Sequence, residues 1–175
     1  GGGARSLGFK VYRLGAPVVL SDSLPMLEHM GVRVMGEDNF RIQPGHSDGG
    51  FISMHDFKLD APLSDEIEPE LLSRLFEGAF AQVFRGEVEN DDFNRLVLRA
   101  GLAAQDIVVL RAYAKYCKQI GFALSQAAIE ATLAAQPHIA RMLVKLFHLR
   151  LHPSAHDEAG ATSQGNAIEL ALDRV

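Results

Sequence analysis

The sequence predicts an α+β fold: a βαββα unit followed by a helical segment. Three observations carry this. Residues 8–60 mix two-residue and 3.6-residue apolar periods. Residues 64–152 show the helical period alone. The 175 residues are 47% hydrophobic and 22% charged, a globular balance with room for a sizeable core, which excludes wholesale disorder. Strands first and helices afterwards define α+β, or a small α/β unit followed by a helical one.

The elements follow in order. Gly1, Gly2 and Gly3 cannot nucleate structure, so residues 1–7 are expected to be disordered. Phe9 and Val11 alternate with Lys10 and Tyr12 as a first strand, and Leu14, Gly15, Ala16 and Pro17 make a turn. Leu20, Leu24 and Leu27 then share one helical face. With Ser23 as N-cap, Pro25 sits in the first turn; with Ser21 as N-cap, it deletes the first intrahelical bond. Gly31 closes this helix. Val32 and Val34 share a face of a second strand, Pro44 to Gly50 is a loop, and Phe51 to Leu59 is a third strand. That strand carries Phe51, Phe57 and Leu59 on one face.

Ser64 opens an acidic helix start with Asp65, Glu66, Glu68 and Glu70, ahead of the stripe Leu72, Phe76, Ala79 and Val83. Asn90 is the expected N-cap of the next helix, which turns Phe93, Leu96, Val97 and Ala100 inward and ends at Gly101. Ile107, Leu110, Ala114 and Cys117 mark a further helix ending at Gly121. Ser125 caps a short one reaching about Ala135. Pro137 starts the last, with Ile139, Met142, Leu143, Leu146 and Phe147 apolar. The run from Pro153 to Gln164 is small and polar and reads as a linker, after which Ala167 to Val175 turns apolar again. The divisions are therefore 8–86, 87–152 and a linker over 153–175.

Composition excludes several classes of function. A net charge of -5 argues against a basic nucleic-acid binder. No apolar run approaches a membrane span, and the N-terminus lacks a signal-peptide layout, which implies the cytoplasm. One cysteine excludes an internal disulfide framework and a multi-cysteine zinc site.

Each candidate for chemistry has a plainer explanation beside it. His148, His152 and His156 recur every four residues beside Asp157 and Glu158, but Pro153 breaks the face, so no metal site is assigned. Ser21, Ser53, His29 and His55 offer the parts of a hydrolase triad without a nucleophile elbow. His55 and Asp56 point to opposite faces of their strand. Cys117, near Lys115 and Lys118, reads as a small buried hydrophobe. Arg111, Lys115 and Lys118, interleaved with Tyr113 and Tyr116, read as a solvated basic face or as partners of Asp65 to Glu70. Neither GxGxxG after a strand nor GxxxxGK[ST] occurs, so no cofactor-binding residue is assigned. Gly15 and Ala16 sit between a strand and a helix, where free N–H groups can receive a carboxylate. They form the candidate amino-acid effector site, against a plain βα turn.

Longer motifs add a resemblance. RLGAPVVLSDSLPMLEHMGVRV (13–34), HDFKL (55–59), FRGEVENDDFNRLVLRAGL (84–102) and VVLRAYAKYCKQIGFALSQAAIEATLAAQPHIARMLVKLF (108–147) resemble the large-class NAD-specific glutamate dehydrogenases of bacteria. The family often has tryptophan where this chain has Phe84. The resemblance implies an ACT-like (ferredoxin-like) domain with a following helical motif, ahead of the catalytic core. It implies that the catalytic residues and the NAD-binding unit lie beyond this chain, which is then inactive alone and holds no cofactor. It implies a regulatory or assembly role within a homo-oligomer, contacts with other domains of the same polypeptide, and an amino-acid effector. A stand-alone amino-acid-binding module is the alternative. The standard βαββαβ order needs a fourth strand, which does not show before the helices; residues 167–172 are a weak candidate for it.

Overall fold

Three strands form one antiparallel sheet in the order β1-β3-β2: β1 (Ala4–Leu14), β2 (Arg33–Ile42) and β3 (Ile52–Pro62). The computed structural model describes residues 4–43, 45, 50–63, 66–151 and 158–173. Central β3 buries Ser53, His55, Phe57, Leu59 and Ala61 in strict alternation. Residues 4–7 correct the expectation of a disordered start. They pair with Leu59 to Pro62, so ladder hydrogen bonds order a segment whose side chains carry little signal.

Helix α1 (Leu20–His29) starts at neither serine. Val19 is its N-cap, and the N–H groups of Asp22 and Ser23 both reach the Val19 carbonyl at 3.1 Å. Pro25 therefore lies inside the helix and removes one backbone bond. Burial of Leu27 and Met30, both 0% exposed, offsets that loss at about 1.5–3 kcal/mol each.

Helix α2 (Pro69–Phe84) starts later than the acidic run suggests, with Glu68 as N-cap and Pro69 in the first turn. Ser64 and Asp65 lie outside the described residues. Leu72, Phe76, Ala79 and Val83 are buried, as their spacing predicts. Phe9 of β1 meets Phe76 and Phe80 edge-on at 5.1 and 5.0 Å, which lays α2 across the inner face of the sheet.

A one-turn 3-10 helix (Asp92–Arg95) then leads into α3 (Leu96–Ala100). Its N-cap is Asp91, not Asn90; the Asp91 carboxylate accepts the Phe93 N–H at 3.2 Å. Asn90 instead bonds the Nδ1 of His29 at 3.0 Å. Phe93, Leu96 and Val97 are fully buried. Gly101 caps α3 with φ of +62°, and a Cβ there would lie 2.8 Å from Ile67 Cδ1. Gly101→Ala is expected to cost about 1–3 kcal/mol, through the left-handed conformation and the contact together. Urea unfolding checks this.

Helices α4 (Ala104–Gln119), α5 (Gln126–Ala135) and α6 (Pro137–Leu151) complete the packed helical part. Ser125 caps α5 through the Ala128 N–H at 3.2 Å. Helix α6 buries Ala140 and Val144, while Ile139, Met142, Leu143, Leu146 and Phe147 are half-buried. Helix α7 (Glu158–Leu172) corrects two expectations. Residues 158–164 are helix rather than linker, and 167–172 are helix rather than a fourth strand. Its alanines, leucines and glutamates favour helix, and Arg150 of α6 holds Glu169 at 2.9 Å. Residues 152–157 and 174–175 lie outside the described residues.

One core joins the two parts. Phe57 and Leu59 of the sheet cluster with Phe93, Leu96, Ile107 and Leu110 of the helices. The outer face of the sheet has two ends. One carries Lys10–Asp56 and Lys58–Asp38 ion pairs at 2.8 and 2.9 Å. The other shows Tyr12, Leu14, Phe40 and Ile42, all at least 40% exposed. Among the described residues, no helix is long and apolar enough to cross a membrane.

Candidate functional site

The turn between β1 and α1 holds Gly15 and Ala16. Gly15 adopts φ of +79° and is exposed; Ala16 is half-buried. The turn is tied to the sheet at two points. The Gly15 N–H donates to the Phe51 carbonyl at 2.8 Å. The Val18 N–H donates to His55 Nε2 at 3.0 Å. A carboxylate at this turn is left with the N–H groups of Ala16, Val19, Leu20 and Ser21, which have no protein acceptor among the described residues.

His55 is 1% exposed and its tautomer follows from its hydrogen-bond partners. A backbone N–H can only donate, so Nε2 accepts from Val18 and the ring proton sits on Nδ1. Nδ1 faces Glu37 Oε1 at 2.7 Å. Ser53 Oγ lies 3.1 Å from Nε2 and 3.4 Å from Asn39 Oδ1. The structure thus brings Ser53 and His55 together and adds Glu37 as the acid. Ser21 and His29 are not part of this group. The atom order is that of a hydrolase relay, but Ser53 is only 2% exposed. The lone pair that would take its proton is occupied by Val18. The group therefore acts as a buried strut between sheet and turn. Asp56 points to the opposite face, paired with Lys10, as strand alternation requires.

A second polar group corrects the reading of Arg111 as part of a solvated face. Arg111 is 2% exposed. Its Nε and Nη2 grip both oxygens of Asp91 at 2.8 Å, and Nη2 also donates to Asn94 Oδ1 at 2.6 Å and to the Glu89 carbonyl at 3.3 Å. Asn94 Nδ2 returns to the same carbonyl at 3.1 Å. This network ties α4 to the segment before α3, so the acidic partners are Glu89 and Asp91, not Asp65 to Glu70. Lys115 does lie on the surface, with Glu89 at 2.6 Å, and Lys118 is exposed.

Lys115 beside Glu89 holds that carboxylate below its usual range, mainly through their hydrogen bond, against a smaller desolvation effect. A carboxylate lowered on folding stabilises the fold above its unfolded pKa, and that contribution fades as pH falls through the lowered value. Glu89 is half exposed, so Glu89→Gln is expected to cost under about 1 kcal/mol at neutral pH. The difference from the unaltered chain should vanish in acid, which urea unfolding at several pH values reads.

The remaining candidates are separate. His148 Nε2 bonds Asp106 Oδ1 at 2.8 Å. His152, His156 and Asp157, and the side chain of Glu158, lie outside the described residues. Among the described residues, no three His, Cys, Asp or Glu side chains gather as metal ligands would. Cys117 is half-buried in an apolar pocket with Leu110, Tyr113, Phe122 and Leu133.

An antiparallel sheet with helices on one face, continued by helices that share its core, is an α+β fold whose β1-α1-β2-β3-α2 order is that of an ACT-type unit without a fourth strand among the described residues. The family model for the glutamate dehydrogenase ACT3 domain matches residues 1–72, and that for glutamate dehydrogenase helical motif 3 matches residues 88–153. The chain belongs to the glutamate dehydrogenase family. It is 42% identical over 163 residues to the NAD-specific glutamate dehydrogenase of Halomonas elongata, covering 93% of this chain and 10% of that protein. Identity to the Pseudomonas aeruginosa protein of the same name is 39% over 150 residues (86% and 9%). To the Mycobacterium tuberculosis one it is 38% over 165 residues (91% and 10%). The chain spans about a tenth of the length of these curated relatives.

Proposed function

We propose that this chain is a non-catalytic regulatory or assembly segment of a large NAD-dependent glutamate dehydrogenase. The whole polypeptide would convert L-glutamate, NAD and water to 2-oxoglutarate, ammonia and NADH. The observation that carries this is the match of nearly the whole chain to a small part of relatives bearing that name. The site chemistry agrees with it. The strongest polar groups, around Arg111 and His55, are spent on holding elements together. A dinucleotide needs free N–H groups at a strand-to-helix turn. Those of Gly15 and Val18 are already bonded, and the sequence carries no glycine-rich dinucleotide fingerprint at this turn, so the cofactor is assigned to the rest of the polypeptide. The exposed apolar end of the sheet suits contact with other domains or with a second subunit. An amino-acid effector acting through this domain is part of the same proposal.

The test compares two purified proteins, this chain and the full-length polypeptide, supplied with L-glutamate and NAD. Only the full-length protein should form NADH. NADH formed by the chain alone would overturn the non-catalytic assignment.

A further inference from the structure

Helix α4 presents an exposed side without charge. Gln105, Ala112 and Gln119 recur every seven residues along its middle, which keeps them close to one line of the helix. Val109, Tyr113, Tyr116 and Ile120 lie beside that line toward Asp106, and Val108 lies beside it toward Lys115. Asp106 and Lys115 stand at the two margins, and each already has a partner: His148 at 2.8 Å and Glu89 at 2.6 Å.

Exposed helix positions ordinarily carry charge. Here Val108, Tyr113, Tyr116 and Ile120 are 42–62% exposed. Phe122 and Leu124 continue the patch past the helix end, over an apolar hollow of about 360 Å³ shared with α5. A half-exposed aromatic side chain offers roughly 100 Å² for burial, so these six together offer on the order of 500 Å². With Gln105, Ala112 and Gln119 the side approaches the roughly 800 Å² per partner of a standard interface. Tyrosine enriched and charge depleted is also the composition of an interface centre.

The chemistry selects the kind of partner. Nucleic acid and anionic membrane both need cations that this side lacks. A convex helix cannot enclose a small molecule. What remains is a protein surface, and the pattern is symmetric: Gln105 and Gln119 lie seven residues before and after Ala112. We propose that this side of α4 pairs with the same side of α4 in a second copy of the chain, antiparallel about a two-fold axis at Ala112. That axis sets Ala112 on Ala112, whose small side chains let the helices approach, and Tyr116 over Val109 of the second copy. Gln105 then meets Gln119 of the second copy, amide to amide, at both ends of the contact. The same patch serves both subunits, as a two-fold interface requires. The inference gives the assembly reading above a definite surface and rests on that reading for its setting.

Sedimentation equilibrium of the whole chain tests it. A species of twice 19.1 kDa should form at micromolar concentration. Tyr116→Glu and Ala112→Glu should each raise the dimer dissociation constant at least about tenfold, with the circular dichroism spectrum unchanged because both positions are exposed. Lys118→Glu, on the far side of the helix, should leave it unaffected. Two double variants fix the orientation. Gln105→Lys with Gln119→Glu should keep the dimer, because opposite charges meet; Gln105→Lys with Gln119→Lys should weaken it at least about tenfold. Equal weakening by both double variants overturns the antiparallel arrangement. A chain that stays monomeric, or a dimer that neither Tyr116→Glu nor Ala112→Glu weakens, overturns the interface. Either failure leaves the non-catalytic assignment standing, since NADH formation decides that separately.

Discussion

Arg111→Met is expected to destabilise the chain by about 3–5 kcal/mol, the largest loss from any single charged residue here. The side chain is 2% exposed and grips Asp91, Asn94 and the Glu89 carbonyl together. Removing it leaves a mostly buried carboxylate and a fully buried amide oxygen without their main donor. Arg111→Lys should recover only part of the loss, because an ammonium cannot hold both oxygens of Asp91 while reaching Asn94. Adding Asp91→Asn to Arg111→Met should be less harmful than the sum of the two changes, since the stranded charge is gone. Lys115→Ala, on the exposed partner of Glu89, should cost under about 1 kcal/mol. Urea unfolding of the five variants, the Asp91→Asn single change included, checks all of this, and an Arg111→Met loss no larger than that of Lys115→Ala would refute the network's role.

Phe57→Ala should cost a comparable amount, about 3–5 kcal/mol. Phe57 is 0% exposed at the centre of β3, stacks near Phe9 at 6.5 Å and lies in the core shared with the helices. Its loss opens a cavity where the sheet and helical parts meet. The expected result is a single unfolding transition at lower urea, with far-ultraviolet circular dichroism and tyrosine fluorescence moving together. Two separated transitions, with the helices surviving the sheet, would show that the shared core does not couple the parts.

Much of this fold is legible in the residues. Alternation marks β3 and the stripe at Leu72, Phe76, Ala79 and Val83 marks α2, because both bury one face against a common core. What was not legible has physical causes. The first residues of β1 are ordered by backbone pairing, which needs a partner strand rather than a side-chain pattern. Helix α1 starts at Val19, whose side chain cannot cap, so a search for capping serines misses it. Pro69 does signal the start of α2, but the acidic run before it masks that signal. Arg111 was readable in part: it is four residues after Ile107 and three before Ala114, so it borders the buried stripe rather than opposing it. The Glu37–His55–Val18 strut was not readable. Ser53 and His55 share a face by alternation, but bringing Glu37 to His55 depends on strand register and on the bulge at Met35. The candidate site at Gly15 and Ala16 was placed by turn chemistry alone, and the structure adds that two of its N–H groups are bonded to Phe51 and His55.

The most direct test of the central claim is the size of the native polypeptide in the source cells, read by immunoblot with an antibody raised against this chain. Our account predicts a band far larger than 19.1 kDa that co-fractionates with NAD-dependent glutamate dehydrogenase activity. A band at the size of this chain, separate from that activity, would contradict it and leave a free-standing ACT-type module.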